Sequence, residues 1–188
     1  MKRALDLLIS VLALVVLALP LLIIALLIRI ESAGPAIFCQ VRVGRNAQPF
    51  VCYKLRTMVV GAKQVPTHEA LPAHITNLGR FLRRSKIDEV PQLWNVIKGD
   101  MSIVGPRPCL PTQTILIEER RMRGVLALQP GITGLAQIAG KDMSDPKGLA
   151  ELDAAYIGRA GLRSDLAIIF STFSDRSMQD RAPSRNID

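Results

Sequence analysis

From Leu7 to Ile28 the chain runs for 22 residues without a charged side chain, and only Ser10 and Pro20 interrupt the apolar run. No other feature constrains the fold as strongly. A helix of that length reaches across a bilayer core of roughly 30 Å. The run is longer than a usual signal-peptide core and no clear small-x-small cleavage site follows it, so the segment is expected to be retained. Both flanks are basic, with Lys2 and Arg3 before the run and Arg29 after it. Positive charge at both ends does not choose an orientation. Pro20 removes a backbone donor two thirds of the way along, which bends a helix. Two arrangements fit: a kinked span, or a helix that enters one leaflet, turns at Pro20 and returns to the same face.

Beyond this run, a chain of 188 residues has enough length for one domain with its own core. The formal net charge is +8, and it is concentrated: between Arg42 and Arg107 eleven Lys and Arg stand against four acids. Such a field attracts an anionic partner. Aromatic residues make up only 4%. That is too few for stacking on exposed bases, so nucleic acid is not expected. Cys39, Cys52 and Cys109 are scattered and odd in number, which fits neither a disulfide framework nor a metal knot. Cys39 and Cys52 are expected in the core.

Glu31 to Pro35 ends the apolar helix. Ala36–Val43 and Phe50–Met58 read as two strands joined by Gly44–Pro49, a β-hairpin. Lys54 and Arg56 alternate onto one face of the second strand, which suits a phosphate as well as solvent. Gly61 to Ala73 reads as a loop, and His68 and His74 have no companions at metal-ligand spacing. Thr76 caps a helix over Asn77–Arg84, and Ser85 opens another that runs to Ile97 and stops at Gly99. Thr112–Leu128 reads as a helix and Gln129–Gly140 as a turn–strand segment. Pro146–Gly158 and Leu162–Phe173 follow as helices. In the last, Leu162, Leu166, Ile169, Phe170 and Phe173 form a stripe that packs on the core or lies in a membrane interface. Ser174 to Asp188 is polar and has no apolar pattern.

The densest stretch runs from Ser85 to Pro108. It joins adjacent carboxylates, Asp88 and Glu89, to a Gly99-Asp100 turn, a short apolar strand and a rigid Pro106-Arg107-Pro108 corner. Arg80, Arg83 and Arg84 lie just upstream. Ser85 with Asp88 resembles a capping box, and acids in a first turn suit the helix dipole, so a purely structural reading stands. The other reading is a site for phosphates and a metal, since acids sit inside a basic neighbourhood at a helix start that gathers anions. Neighbouring helical residues point about 100° apart, so the two acids would have different tasks.

Several motifs occur in order: Lys2-Arg3 with Asp6, Tyr53-Lys54-Leu55-Arg56-Thr57-Met58, Leu78-Gly79-Arg80-Phe81-Leu82-Arg83-Arg84, the Ser85–Pro108 stretch, and Gln129-Pro130-Gly131-Ile132-Thr133-Gly134-Leu135-Ala136-Gln137. Together they resemble the bacterial sugar transferase family, the monotopic phosphoglycosyl transferases, over about residues 2–175. The resemblance implies an enzyme that moves a sugar-1-phosphate from a UDP-sugar to a polyprenol (undecaprenyl) phosphate and releases UMP, the first membrane step of a surface glycan pathway. It implies Mg²⁺ as cofactor, Asp88 as the nucleophile that forms a phosphosugar–aspartyl intermediate, and Glu89 as the Mg²⁺ ligand. Lys54, Arg56, Arg80, Arg84 and Arg107 are the candidate phosphate clamps, with Arg suited to bidentate contact. Leu152-Asp153-Ala154-Ala155-Tyr156 matches an acidic element of the family and would put Asp153 near the nucleotide-sugar pocket.

The expected fold is α+β and mainly helical: a single cytoplasmic domain with a β-hairpin. Residues 1–30 would form a re-entrant, Pro-broken membrane helix on the cytoplasmic face of the bacterial inner membrane, with Leu19-Pro20 where relatives carry Ser-Pro. Residues 31–175 would form the catalytic domain with C-terminal interfacial helices, and 176–188 a flexible tail. Downstream glycosyltransferases and a second copy of the chain are compatible partners. The competing reading is a non-catalytic membrane-tethered scaffold that presents its basic face to acidic lipid or protein.

Overall fold

The computed structural model describes residues 2–61 and 74–174. The loop expected inside 62–73 and the tail at 176–188 lie outside the described residues. The chain is mainly helical, with two small sheets. In order come α1 (Lys2–Glu31), β1 (Ile37–Val43), β2 (Pro49–Leu55), α2 (Asn77–Ser85), a 3₁₀ turn (Ile87–Glu89), α3 (Gln92–Lys98) and β3 (Ser102–Val104). Then follow α4 (Thr114–Met122), a 3₁₀ turn (Val125–Ala127), β4 (Gly131–Thr133), α5 (Leu135–Ile138), α6 (Pro146–Ile157) and α7 (Leu162–Ser174). β1 and β2 form the expected antiparallel hairpin, with Ile37 opposite Leu55 and Val43 opposite Pro49. β3 and β4 run parallel, with Ser102 opposite Gly131. Their approach explains the glycines around them, because a Cβ on Gly131 would sit 2.1 Å from the Gly105 nitrogen.

α1 is helical through Pro20, so the proline lies inside one helix rather than between two. At about 1.5 Å per residue it is ~45 Å long. Both of its ends are fastened to the rest of the chain. At the start, Lys2 Nζ donates to Asp165 Oδ2 (2.6 Å) and the Val104 carbonyl (3.2 Å). Arg3 donates to the carbonyls of Val96 (2.6 Å) and Ile97 (3.1 Å), satisfying acceptors left open at the end of α3. Asp6 accepts from Ser102 Oγ at 2.8 Å. At the far end Ile28 packs with Leu55 and Leu82. Between the ends no residue from 11 to 20 is buried, and Val15, Val16 and Leu19 are 70%, 67% and 67% exposed. Water solvates such a surface poorly; hydrocarbon suits it.

Three expectations need correction. Ser85 does not open a helix. It closes α2, where its Oγ donates to the Phe81 (3.0 Å) and Leu82 (3.1 Å) carbonyls. Lys86 then takes a left-handed conformation (φ 56°), so the expected Ser85–Ile97 helix divides into the 3₁₀ turn and α3. The Thr112–Leu128 helix likewise stops at Met122, because Gly124 adopts φ 72°, a region open to glycine at little cost. Cys39 is exposed while Cys52 is buried, because among the described residues nothing covers the outer face of β1, where Ile37 and Val41 are exposed too.

α7 buries its stripe only in part, with Ile169 packed on the core. Leu162, Leu166 and Phe170 are exposed, while Asp165 and Ile168 face inward. Asp165 fixes that orientation by accepting from the Tyr156 hydroxyl (2.5 Å) and from Lys2. The Phe173 side chain lies outside the described part.

Candidate active site

The site is assembled by α3. Asn95 on this helix is fully buried, and its amide replaces a missing strand partner for β2. Asn95 Oδ1 accepts from the Tyr53 nitrogen (3.1 Å), and Nδ2 donates to the Val51 carbonyl (2.6 Å) and to Asp100 Oδ2 (3.1 Å). This brings the turn just before α3 against β2, and so brings Glu89 to Lys54. Gly99 ends the helix in a left-handed conformation, as the sequence predicts.

Asp88 and Glu89 sit in the 3₁₀ turn ahead of α3, both 8% exposed. Their environments differ. Glu89 Oε1 accepts from Lys54 Nζ at 2.9 Å and from Arg107 Nη2. Burial alone would raise its pKa. The adjacent Arg107 and Lys54 charges and their hydrogen bonds outweigh that and hold it well below the usual carboxylate range. Among the described residues no hydrogen bond is donated to the Asp88 carboxylate. Burial, followed by the neighbouring Glu89 charge, pushes its pKa up to about 6, against the opposing pull of Lys54, Arg107 and Arg83.

Both carboxylates open onto a cavity of about 710 Å³. Its cationic lining comprises Arg42, Lys54, Arg56, Arg83, Lys86 and Arg107. Its apolar wall includes Ile37, Phe38, Met58, Val59 and Val60. Among the described residues, six cations against two acids leave a surplus suited to a multiply charged anion, and the apolar wall suits an uncharged extension of the same ligand.

Of the residues singled out from the sequence, Lys54, Arg56, Asp88, Glu89 and Arg107 meet at this cavity. Arg56 is already engaged. Its Nη1 donates to the Ala33 carbonyl (2.5 Å), and its Nη2 donates to those of Ser32 (2.6 Å) and Ile28 (3.3 Å), closing the end of α1. Arg80 and Arg84 are exposed on α2 and do not line the cavity. Asp153 does not line it either. It lies buried on α6, where Arg120 Nε donates to its Oδ2 (2.9 Å); Arg120 Nη2 is 2.7 Å from the same oxygen without hydrogen-bond geometry. Burial raises the Asp153 pKa against the pull of Arg120.

Sequence reasoning passed over Arg42 and Arg83. Arg83 Nε donates to Thr57 Oγ1 at 2.9 Å, and its charge lines the cavity and lowers the Asp88 pKa against burial. Arg42 was discoverable from the hairpin register. Phe38 pairs with Lys54, Gln40 with Cys52 and Arg42 with Phe50, so the period of two puts Arg42 on the face that carries Lys54.

The model for the family described as bacterial sugar transferase matches residues 1–178. The undecaprenyl-phosphate galactose phosphotransferase of Salmonella typhimurium is 36% identical over 92% of this chain, which spans 39% of that protein. The undecaprenyl-phosphate glucose phosphotransferase of Komagataeibacter xylinus is 40% identical over 91% of this chain, which spans 35% of it. The chain thus covers less than half the length of either. A shorter relative, the exopolysaccharide production protein PSS of Rhizobium leguminosarum bv. phaseoli, is 39% identical and is matched over 92% of both chains. With the family model covering nearly all of it, this chain belongs to the bacterial sugar transferase family.

Proposed function

We propose that the chain transfers a sugar-1-phosphate from a UDP-sugar to a polyprenol phosphate at the membrane and releases UMP. One observation carries the reading: Asp88, unpaired and largely ionised at neutral pH, faces a cation-lined cavity next to a carboxylate neutralised by Lys54 and Arg107. A carboxylate of this kind is a competent nucleophile toward phosphorus. Asp88 attacks the β-phosphorus, a new P–O bond forms, and the bond to the oxygen bridging the α-phosphate breaks. UMP departs with the electron pair. An oxygen of the polyprenol phosphate then attacks the same phosphorus, and Asp88 leaves as the free carboxylate. Arg107, Lys54, Arg42 and Arg83 offset the charge that grows on the leaving phosphate.

Mg²⁺ normally takes one or two carboxylates plus substrate phosphates and keeps several waters. Among the described residues no three His, Cys, Asp or Glu cluster, so protein groups alone do not form a cage. Arg107 and Lys54 occupy Glu89 Oε1 and leave Oε2 without a donor among the described residues. That free oxygen on an ionised carboxylate fits a Mg²⁺ shared with the diphosphate. Bound there, the ion would neutralise phosphate charge in the transition state.

Fastening both ends of α1 to one domain supports a re-entrant helix with both ends on the cytoplasmic face of the inner membrane. The transfer reading is tested by following UMP release from a panel of UDP-sugars with Mg²⁺ and a polyprenol phosphate. Asp88→Asn is expected to abolish it, and full turnover by that variant rejects the nucleophile. For topology, single cysteines at Ala4 and Ile30 should react with an impermeant maleimide from the same side. Labelling from opposite sides rejects the re-entrant helix.

A further inference from the structure

The Pro106–Cys109 corner has an unusual kind of support. Pro106 and Pro108 have no N–H, so the corner cannot be held through donors of its own at those positions. It is held by its carbonyls instead, four in succession. The Pro106 carbonyl accepts from the Gly131 nitrogen (2.9 Å) and the Cys109 carbonyl from the Val43 nitrogen (2.9 Å). The two between them accept from guanidinium groups: Arg107 O from Arg120 Nη1 (2.9 Å) and Pro108 O from Arg42 Nη1 (3.2 Å). Arg120 is 3% exposed and Asp153 2%. A buried guanidinium is stable only with its charge matched, and Asp153 supplies the match while fixing the direction of the fork.

We infer that Arg120 and Asp153 are positioning residues for the transfer reaction: the pair grips the Arg107 carbonyl and so sets the Arg107 guanidinium on Glu89. This rests on the proposed transfer reading. It gives Asp153 a task through two intervening residues rather than a contact with the sugar nucleotide. A backbone carbonyl held from behind leaves the side chain of the same residue free to reach forward, and Arg107 does so to Glu89. The alternative is that the pair only joins α4 to α6. In that case any replacement that keeps the fold keeps the site.

The test uses the full chain in lipid nanodiscs with the double substitution Arg120→Met and Asp153→Leu, which removes both charges together and leaves neither partner buried alone. Thermal unfolding should stay cooperative. kcat for UMP release should fall about tenfold or more, the size expected when a catalytic group loses its alignment. KM for the sugar nucleotide should stay within about threefold, because uniform binding is untouched. The ¹⁵N–¹H signals of the Arg107 guanidinium should broaden and exchange faster. Arg120→Lys, which keeps a positive charge opposite Asp153 but lacks the fork that spans Asp153 and the Arg107 carbonyl, should move both readouts the same way by less, and decides the matter if the double variant does not fold. Folded protein with wild-type kcat and unchanged Arg107 signals overturns the inference. Absence of UMP release from the wild type would instead sink the transfer reading, and the Arg107 signals would still decide the positioning.

Discussion

Two arginine–carboxylate pairs flank one proline corner, and they differ in what surrounds them. In the pair at the cavity, the Arg107 side chain is 33% exposed and the Glu89 side chain 11%; in the pair between α4 and α6, Arg120 is 4% and Asp153 2% exposed. The inner pair is sealed and its charges are matched one to one. The outer pair carries an extra cation, Lys54, and an extra acid, Asp88, beside open space. Burial is common to both, so burial does not mark the site. What marks it is charge without a fixed counterpart next to a volume that can hold a ligand.

The strongest way to break this comparison is to remove one charge from each region in turn. Asp88→Asn should lower UMP release at least about a thousandfold, as expected on loss of a covalent nucleophile, yet make the protein more stable. Asp88 has a folded pKa of about 6 against about 3.9 in an unfolded chain. The folded state therefore binds this proton more tightly, and ionised Asp88 opposes folding at pH 7 by up to about 3 kcal/mol. Arg120→Met should do the reverse to the fold, costing about 3–5 kcal/mol because Asp153 is left buried without its counter-charge. Denaturant titration of both variants checks the opposite signs; equal signs would erase the distinction between the two regions.

A subtler contrast lies in pH. Turnover should fall below pH ~6, approaching tenfold per unit, as Asp88 takes up its proton. Over the window from about pH 4 to 6, the Asp88 contribution should make wild-type stability decline as pH rises, and Asp88→Asn should remove that component. A rate profile flat down to pH 5 would contradict the assignment. The smallest effect is expected at Gly34. Its φ is +118°, and a Cβ there would lie 2.4 Å from Arg56 Nη1 and 2.7 Å from Val60 Cγ2. Gly34→Ala should cost about 1–2 kcal/mol, read as a lower Tm, with a smaller change in turnover than at Asp88 or Arg120.

Local signals in the sequence were reliable where one residue sets the geometry. Thr76 caps α2 by accepting from the Gly79 nitrogen, Gly99 ends α3, and alternation puts Lys54 and Arg56 at one cavity. Ser85 misled because Ser-x-x-Asp reads the same whether the serine closes one helix or opens the next. The left-handed Lys86 that decides between them has no signature, since lysine seldom adopts that conformation. The long-range supports were invisible for a different reason. Arg3 on the end of α3, Arg56 on the end of α1 and Arg120 on the Arg107 carbonyl are side chains reaching backbone acceptors far away in sequence. Such bonds follow no period and pair no recognisable types. Arg56 was picked out by its place beside Lys54 on one strand face and Asp153 by its match to a family element, while the structure employs both in holding other groups.

The closure of α1 by Arg56 has a thermodynamic consequence. The same guanidinium borders the cavity and holds the Ile28 carbonyl near the end of the apolar helix and those of Ser32 and Ala33 just after it, so the two regions share one set of bonds instead of being joined by a slack linker. Any ligand whose binding strengthens these Arg56 bonds must, by reciprocity, favour the seated helix by the same factor, and a host phase that strains the helix through them must weaken the ligand equally. Affinity measured in a detergent micelle and affinity measured in a bilayer of matched thickness are therefore two different constants of one linked equilibrium.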